Sequence, residues 1–154
     1  MPVKPPPPSD LPPTAVEIRI PGPPHPKGRP RFFQRGKFVS VYTDAKTKAY
    51  ETTAAECGRD AMNGAPPMQG ALRLYARFIM PRPKSRAKDE HHVCRPDVDN
   101  LLKSVLDGLN GIVYDDDSQI VKLESDKVYE GLVGVPSVYV CVQSHTSRIG
   151  FAPH

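Results

Sequence analysis

The sequence is poor in cysteine, and its three, Cys57, Cys94 and Cys141, are widely spaced and form no C-x-x-C pattern. A disulfide framework is therefore not expected, and a reducing cytoplasm suits the chain. No apolar run approaches the roughly 18 residues that a membrane span requires, and the proline-rich start has no apolar region of signal-peptide type. The chain reads as soluble and not secreted. Two metal signatures are also incomplete. His91, His92 and Cys94 lack the further ligands of a four-ligand zinc site. Asp115-x-Asp117-x-Gln119 carries Ile120 where an EF-hand calcium loop needs glycine.

What is present fits one domain of 154 residues, large enough for a core without staples. Residues 1–14 hold seven of the nineteen prolines and read as a disordered arm, residues 15–143 as the folded domain, and 144–154 as a flexible tail. Ala15 to Ile20 alternates apolar and charged residues as a half-buried strand does, and Pro21-Gly22-Pro23-Pro24 stops it. Phe32-Phe33 and Phe38 to Tyr42 flank Arg35-Gly36-Lys37, the pattern of a hairpin with a basic tip. A helix is expected from a cap at Thr43 or Asp44 to Asn63, with Tyr50, Ala54, Cys57 and Ala61 facing the core. The stretch 70–80 is the clearest strand, with Leu72, Leu74, Ala76 and Phe78 on one face. After Pro96, Leu101, Leu102, Val105, Leu106 and Leu109 recur at helical spacing, and strands are expected over 118–128 and 137–142. Strands before and after two main helices predict an α+β domain, with the helices packed on a small mixed sheet.

Charge is laid out unevenly. Residues 1–95 carry 17 basic and 8 acidic groups, whereas residues 96–154 carry 4 basic and 9 acidic. A basic surface beside an acidic pocket suits a polyanion handled with divalent cations, because the cations offset the pocket while Lys and Arg hold phosphates. The basic run from Lys27 to Lys37, broken by prolines and glycine, suits an extended track along a phosphate backbone.

The acidic pocket centres on Arg95-Pro96-Asp97-Val98-Asp99-Asn100-Leu101-Leu102-Lys103. Residues two apart in an extended segment point the same way, so Asp97 and Asp99 can aim their carboxylates at one point. A bound cation relieves their repulsion, and Mg²⁺, with Mn²⁺ as an alternative, favours such oxygen ligands together with substrate phosphates. Asp117 joins them only if the helix leads into a strand beside this loop. Lys103, one helical turn beyond Asp99, is placed to meet a phosphate. Carboxylates, a metal and a lysine supply what phosphodiester hydrolysis needs. Plainer readings stay open: Asp99 as a helix cap, Asp115 to Asp117 as a solvated turn, Lys103 as a surface lysine and the basic run as a solubilising face.

Extended through Asp107-Gly108-Leu109 and Asp116-Asp117-Ser118-Gln119-Ile120-Val121, this motif closely resembles the signature of the RusA-type Holliday junction endodeoxyribonucleases of bacteria and their phages. Pro21 to Pro24, Pro26 to Arg31 and Thr47 to Glu51 are similar to that family as well. The resemblance implies a homodimer in the cytoplasm that nicks opposite strands of a four-way DNA junction in a Mg²⁺-dependent reaction of recombination and repair. By motif position it implies Asp97, Asp99 and Asp117 as metal-binding catalytic carboxylates, Asp116 as an acidic neighbour at the metal and Lys103 as the catalytic lysine. Lys27, Arg29, Arg31 and Arg95 correspond to DNA-contacting residues. A branched-DNA-binding protein without cleavage, and a metal-dependent nucleotide phosphohydrolase, are the alternatives.

Overall fold

Alternation along the first strand has a direct structural outcome. In β1, Ala15–Pro21, Val16, Ile18 and Ile20 are buried while the residues between them are exposed. The structure, a computed structural model, describes residues 11–28, 31–42, 44–89, 91–131 and 134–146, with only the backbone described at 31–33 and 40–42. The arm expected over 1–14 and the tail expected from 144 therefore lie largely outside the described residues.

The hairpin forms as expected from β2, Arg31–Arg35, and β3, Phe38–Tyr42, paired antiparallel with Arg35 opposite Phe38. Helix α1 spans Ala45–Met62; the side chain of Asp44 accepts a hydrogen bond from the Lys46 amide at its start, and Asn63 closes it in the left-handed region. Then follow β4, Leu72–Met80; α2, Val98–Leu109; β5, Ile120–Tyr129; and β6, Ser137–Ser144. Four strands make one mixed sheet in the order β1-β6-β4-β5, in which only the β4 and β5 pair is parallel. A parallel pair needs a crossover, and the segment containing α2 supplies it.

The helices cover one face of this sheet. Buried side chains of β1, β4 and β6 meet Ala54 and Met62 of α1 and Leu101, Leu102, Val105 and Leu109 of α2 in a single core. The expected α+β class, with two helices on a small mixed sheet, is what the chain adopts. Arg73, Tyr75 and Arg77 face the other side, where Arg77 grips Asp126 through two hydrogen bonds of 3.0 and 2.9 Å.

Three local expectations need correction. On α1, Ala54 lies in the core and Tyr50 and Cys57 pack partly buried against it as expected, but Ala61 is exposed, and Thr47, Gly58 and Met62 complete the buried stripe. The stripe turns because Gly58 lies against α2, where a Cβ would come within 2.9 Å of Leu109 Cδ2. Residues 117–119 form a 3-10 turn, so β5 begins at Ile120. At the far end β6 runs to Ser144, and the His145 amide donates to the Ala71 carbonyl at 2.8 Å. No helix among the described residues is long and apolar enough to cross a membrane.

Candidate active site

Helix α2 begins two residues earlier than an extended Asp97-Val98-Asp99 would allow. Asp97, at φ −70° and ψ 146°, occupies the cap position, and Val98 opens the helix, so Asp99 lies in the first turn. Neither the extended pairing of these two carboxylates nor Asp99 as the cap describes the chain. Although Asp97 is a residue type that often caps through its side chain, its carboxylate makes no cap hydrogen bond. The apolar residues of α2, with buried Ser104 and Gly108, face the core. Asp99 and Lys103 are thereby turned to solvent, and Asp107 is left partly buried.

The approach to Asp97 is fixed from the sheet. Lys127 of β5 donates from Nζ to the carbonyls of Cys94 at 2.9 Å and Pro96 at 2.8 Å. From the other side the loop 25–28 closes in. The Lys27 amide donates to the Asn100 carbonyl at 2.9 Å, Ser104 Oγ donates to the His25 carbonyl at 2.7 Å, and the Gly28 amide donates to Thr47 Oγ1 at 3.1 Å. Between these walls lies an open cleft of about 790 Å³ lined by Pro24, Pro26, Lys27, Arg95, Pro96, Asp97 and Asn100. Three of the expected site residues, Lys27, Arg95 and Asp97, therefore share one cavity. A smaller cleft of about 400 Å³ on the open face of the sheet, beside Tyr75 and Tyr139, contains none of the acidic motif.

Lys27 is more constrained than a free phosphate-binding lysine. Its ammonium sits against Glu51 of α1 and 2.9 Å from Asp107 Oδ2 of α2. Burial pulls its pKa down, but the hydrogen bonds and charges of those two carboxylates outweigh this and raise it. Asp107 Oδ1 lies 3.7 Å from Lys103 Nζ, whose side chain remains 58% exposed. Glu51 and Asp107 were not among the expected site residues. The spacing of Lys103 and Asp107 at i and i+4 was a visible signal for one of them.

The acidic turn is organised by Gln119. Its side-chain oxygen accepts from the amides of Asp115 at 2.8 Å and Asp116 at 3.1 Å, and its nitrogen donates to the carbonyls of Met68 and Gly70. Asp116 Oδ2 accepts from the Ser118 amide at 3.2 Å. Hydrogen bonds from Ser118 hold the Asp116 acid below the ordinary carboxylate value, and the charge of Lys103 adds to this. Asp115 accepts from Gln69 Nε2 at 2.9 Å. Both are thus engaged in the turn, as the solvated-turn reading has it. Buried Tyr114 donates to the Leu106 carbonyl at 2.9 Å. Its phenol is pushed up chiefly by burial and then by the charges of Asp117, Asp107 and Asp116.

The family resemblance implies a divalent metal, and the donor set bears on it directly. Among the described residues no group of three His, Cys, Asp or Glu side chains is gathered to hold an ion, so Asp97, Asp99 and Asp117 do not form a ready cage. The chemistry of the donors still fits a hard cation: all are carboxylate oxygens, and Asp97 has no side-chain partner at the helix cap. Mg²⁺ characteristically binds through one or two carboxylates and takes its remaining ligands from water and substrate phosphates. Cys94 Sγ and His92 Nε2 lie 3.5 Å apart, within hydrogen-bonding reach of each other. Arg95 is exposed at the cleft, Arg31 opens β2 with its side chain outside the described residues, and Arg29 lies outside them altogether.

Comparison with known proteins places this geometry in context. Residues 21–142 match the profile of the family described as Endodeoxyribonuclease RusA, a span that includes every residue of the acidic motif and of the cleft. The chain is also 32% identical over 127 residues to a Bacillus subtilis (strain 168) protein named uncharacterized protein YqaN, an alignment covering 74% of this chain and 87% of that relative.

Proposed function

The chain belongs to the RusA family of Holliday junction endodeoxyribonucleases, and from that premise we propose that it resolves four-way DNA junctions by paired, symmetric nicks, as a homodimer with one active site per copy. The observation that carries this reading is the shared cleft. An Asp97 carboxylate without a capping role stands beside Lys27 and Arg95, at the entrance of the helix that carries Lys103 one turn further on. A protein that only bound branched DNA would gain nothing from a carboxylate set beside the exposed Arg95.

In this reading Asp97, Asp99 and Asp117, with Asp116 beside them, would hold a divalent cation, Mg²⁺ or Mn²⁺. When bound, such an ion lowers the pKa of the attacking water and offsets charge developing on the phosphate. Arg95, with Arg29 and Arg31 on the basic segment, holds the DNA backbone. Lys27 anchors that segment to both helices, and Lys103 presents its ammonium to the phosphate that is cut. Residues 15–143 form the nuclease unit, at work in DNA recombination and repair within a bacterial or phage-infected cytoplasm.

A labelled synthetic four-way junction, incubated with the full chain with and without Mg²⁺ and read on a denaturing gel, tests the proposal. Wild-type protein should give paired nicks only with the cation. Asp97→Asn and Asp117→Asn should abolish cutting while retaining junction binding. Full cleavage by either variant sinks the site assignment. Binding without cleavage by wild-type protein moves the chain to the binding-only class, and turnover of free nucleotides instead of junctions moves it to the phosphohydrolases.

A further inference from the structure

We propose that Asp107 is the positioning residue of this nuclease: its carboxylate, shared between Lys103 and Lys27, aims the lysine that meets the phosphate and ties it to the rim of the Asp97 cleft. The inference rests on the role proposed for Lys103.

An i,i+4 pair on an exposed helix face is only weakly stabilising, so Lys103 and Asp107 alone would fix little. The difference here is that Asp107 is itself held. Its Oδ2 lies 2.9 Å from Lys27 Nζ, and its side chain is only 22% exposed. Lys27 is in turn fixed by its amide to the Asn100 carbonyl and by its ammonium to Glu51 on the other helix. Next to Asp107, Gly108 lets the backbone of α1 come so near that a Cβ would meet the Glu51 carbonyl oxygen at 3.0 Å. Charges therefore alternate from Glu51 through Lys27 and Asp107 to Lys103, across two helices and the loop that lines the cleft. Only the last member reaches well into solvent.

The arrangement gives Asp107 a task that a surface carboxylate lacks. A free lysine side chain is flexible and loses much rotamer freedom on being held, and a group that must meet a transition state works best when its geometry is set before substrate arrives. One oxygen of Asp107 restrains Lys103, and the other registers that restraint to the Lys27 segment and hence to Arg95 and Asp97. Asp107 touches no phosphate in this scheme. Its effect passes through Lys103.

The test uses the full chain as wild type and Asp107→Asn, with a synthetic junction and Mg²⁺. It measures kcat, KM, the melting curve and the rate at which an amine-acetylating reagent modifies Lys103, read by mass spectrometry. The expected outcome is a folded variant with kcat lowered about tenfold and KM within about twofold of wild type, and with Lys103 acetylated several-fold faster. Unchanged acetylation would show that the pair does not restrain Lys103. Faster acetylation with unchanged kcat would show that the restraint has no part in the reaction. Either result overturns the proposal, as does a loss of kcat that follows only the loss of folded protein. If Asp107→Asn does not fold, Asp107→Glu replaces it: it keeps the charge and shifts the carboxylate away from Lys103 and Lys27, and it must raise acetylation and lower kcat in the same way; no change in either overturns the proposal. Wild-type protein that cuts no junction sinks the nuclease reading instead, while the acetylation rates still decide the pairing.

Discussion

Lys127 donates a 2.8 Å hydrogen bond from its ammonium to the carbonyl of Pro96, so the residue before Asp97 hangs from the edge strand β5. A second bond, to the Cys94 carbonyl, and the pairing of His91 with Val128 lay the same segment along that strand. Lys127→Met keeps the apolar stem and removes both side-chain bonds. Hydrogen bonds to charged groups contribute about 1.5–3 kcal/mol each when well shielded, and partial exposure here reduces that to about 1–2 kcal/mol in total. The variant should melt several degrees lower and cut junctions more slowly even at temperatures where it is folded. An undiminished rate in folded variant would show that this tether does not position Asp97.

The two helices meet through glycines, and the two glycines should not tolerate alanine equally. A Cβ on Gly108 would meet Ala54 Cβ at 2.8 Å and the Glu51 carbonyl at 3.0 Å, neither of which can rotate away. A Cβ on Gly58 would meet the end of the Leu109 side chain at 2.9 Å, which can adjust. Overpacking costs roughly 1–3 kcal/mol, and alanine regains about 1 kcal/mol of helix propensity over glycine. Gly108→Ala should therefore be clearly destabilised in a denaturant melt and Gly58→Ala much less so. The reverse order would contradict a helix crossing whose tightest approach is at Gly108.

His92 should make stability depend on pH. Burial, first, and the charge of Lys127, second, lower its pKa, and its buried Nδ1 has no hydrogen-bond partner with which to accommodate a second proton. A folded pKa below the unfolded one means that the unfolded state binds more protons. The neutral ring's contribution is thus complete above the ordinary histidine value of about 6.5 and is lost as the pH falls from there through the lowered folded value. Melting temperatures compared between about pH 7.5 and pH 5 should fall less steeply for His92→Phe than for wild type. Parallel slopes would remove His92 as the cause.

Much of this architecture was legible in the chain because periodicity and burial speak the same language. The alternation in β1 and β4 and the apolar stripe of α2 each report the face that meets the core. On α1 the spacing of Tyr50, Ala54 and Cys57 marks the face that meets the core, but Ala61 does not continue it, because Gly58, a residue of low helix propensity, is buried against α2 and Met62 is buried in its place. The site was legible only where its partners are close in sequence. Lys103 and Asp107 are one turn apart and could be paired by counting, whereas the bridge from Lys27 to Glu51 and Asp107 joins segments that only the tertiary fold brings together. Asp97 is extended, as its place after Pro96 predicts, but the helix starting at Val98 parts its direction from that of Asp99.

The basic residues of the cleft should separate by how they respond to salt. Each lysine or arginine that neutralises a DNA phosphate releases counterions, which steepens the fall of log K with log salt by roughly one unit. Arg95 stands exposed on the cleft rim, and no ion pair engages its guanidinium among the described residues. It is free to exchange counterions for a phosphate. Lys27 already has two carboxylates at its ammonium, and leaving them for a phosphate would uncover Glu51 and Asp107 to each other. Junction affinities measured from about 50 to 200 mM salt should therefore show a shallower slope, by about one unit, for Arg95→Gln. Lys27→Gln should instead keep most of the slope and lose thermal stability, because its two carboxylates would face each other unpaired. If Lys27→Gln flattens the slope as much as Arg95→Gln, then Lys27 does release its carboxylates on binding, and the loop is a DNA contact first and a helix anchor second.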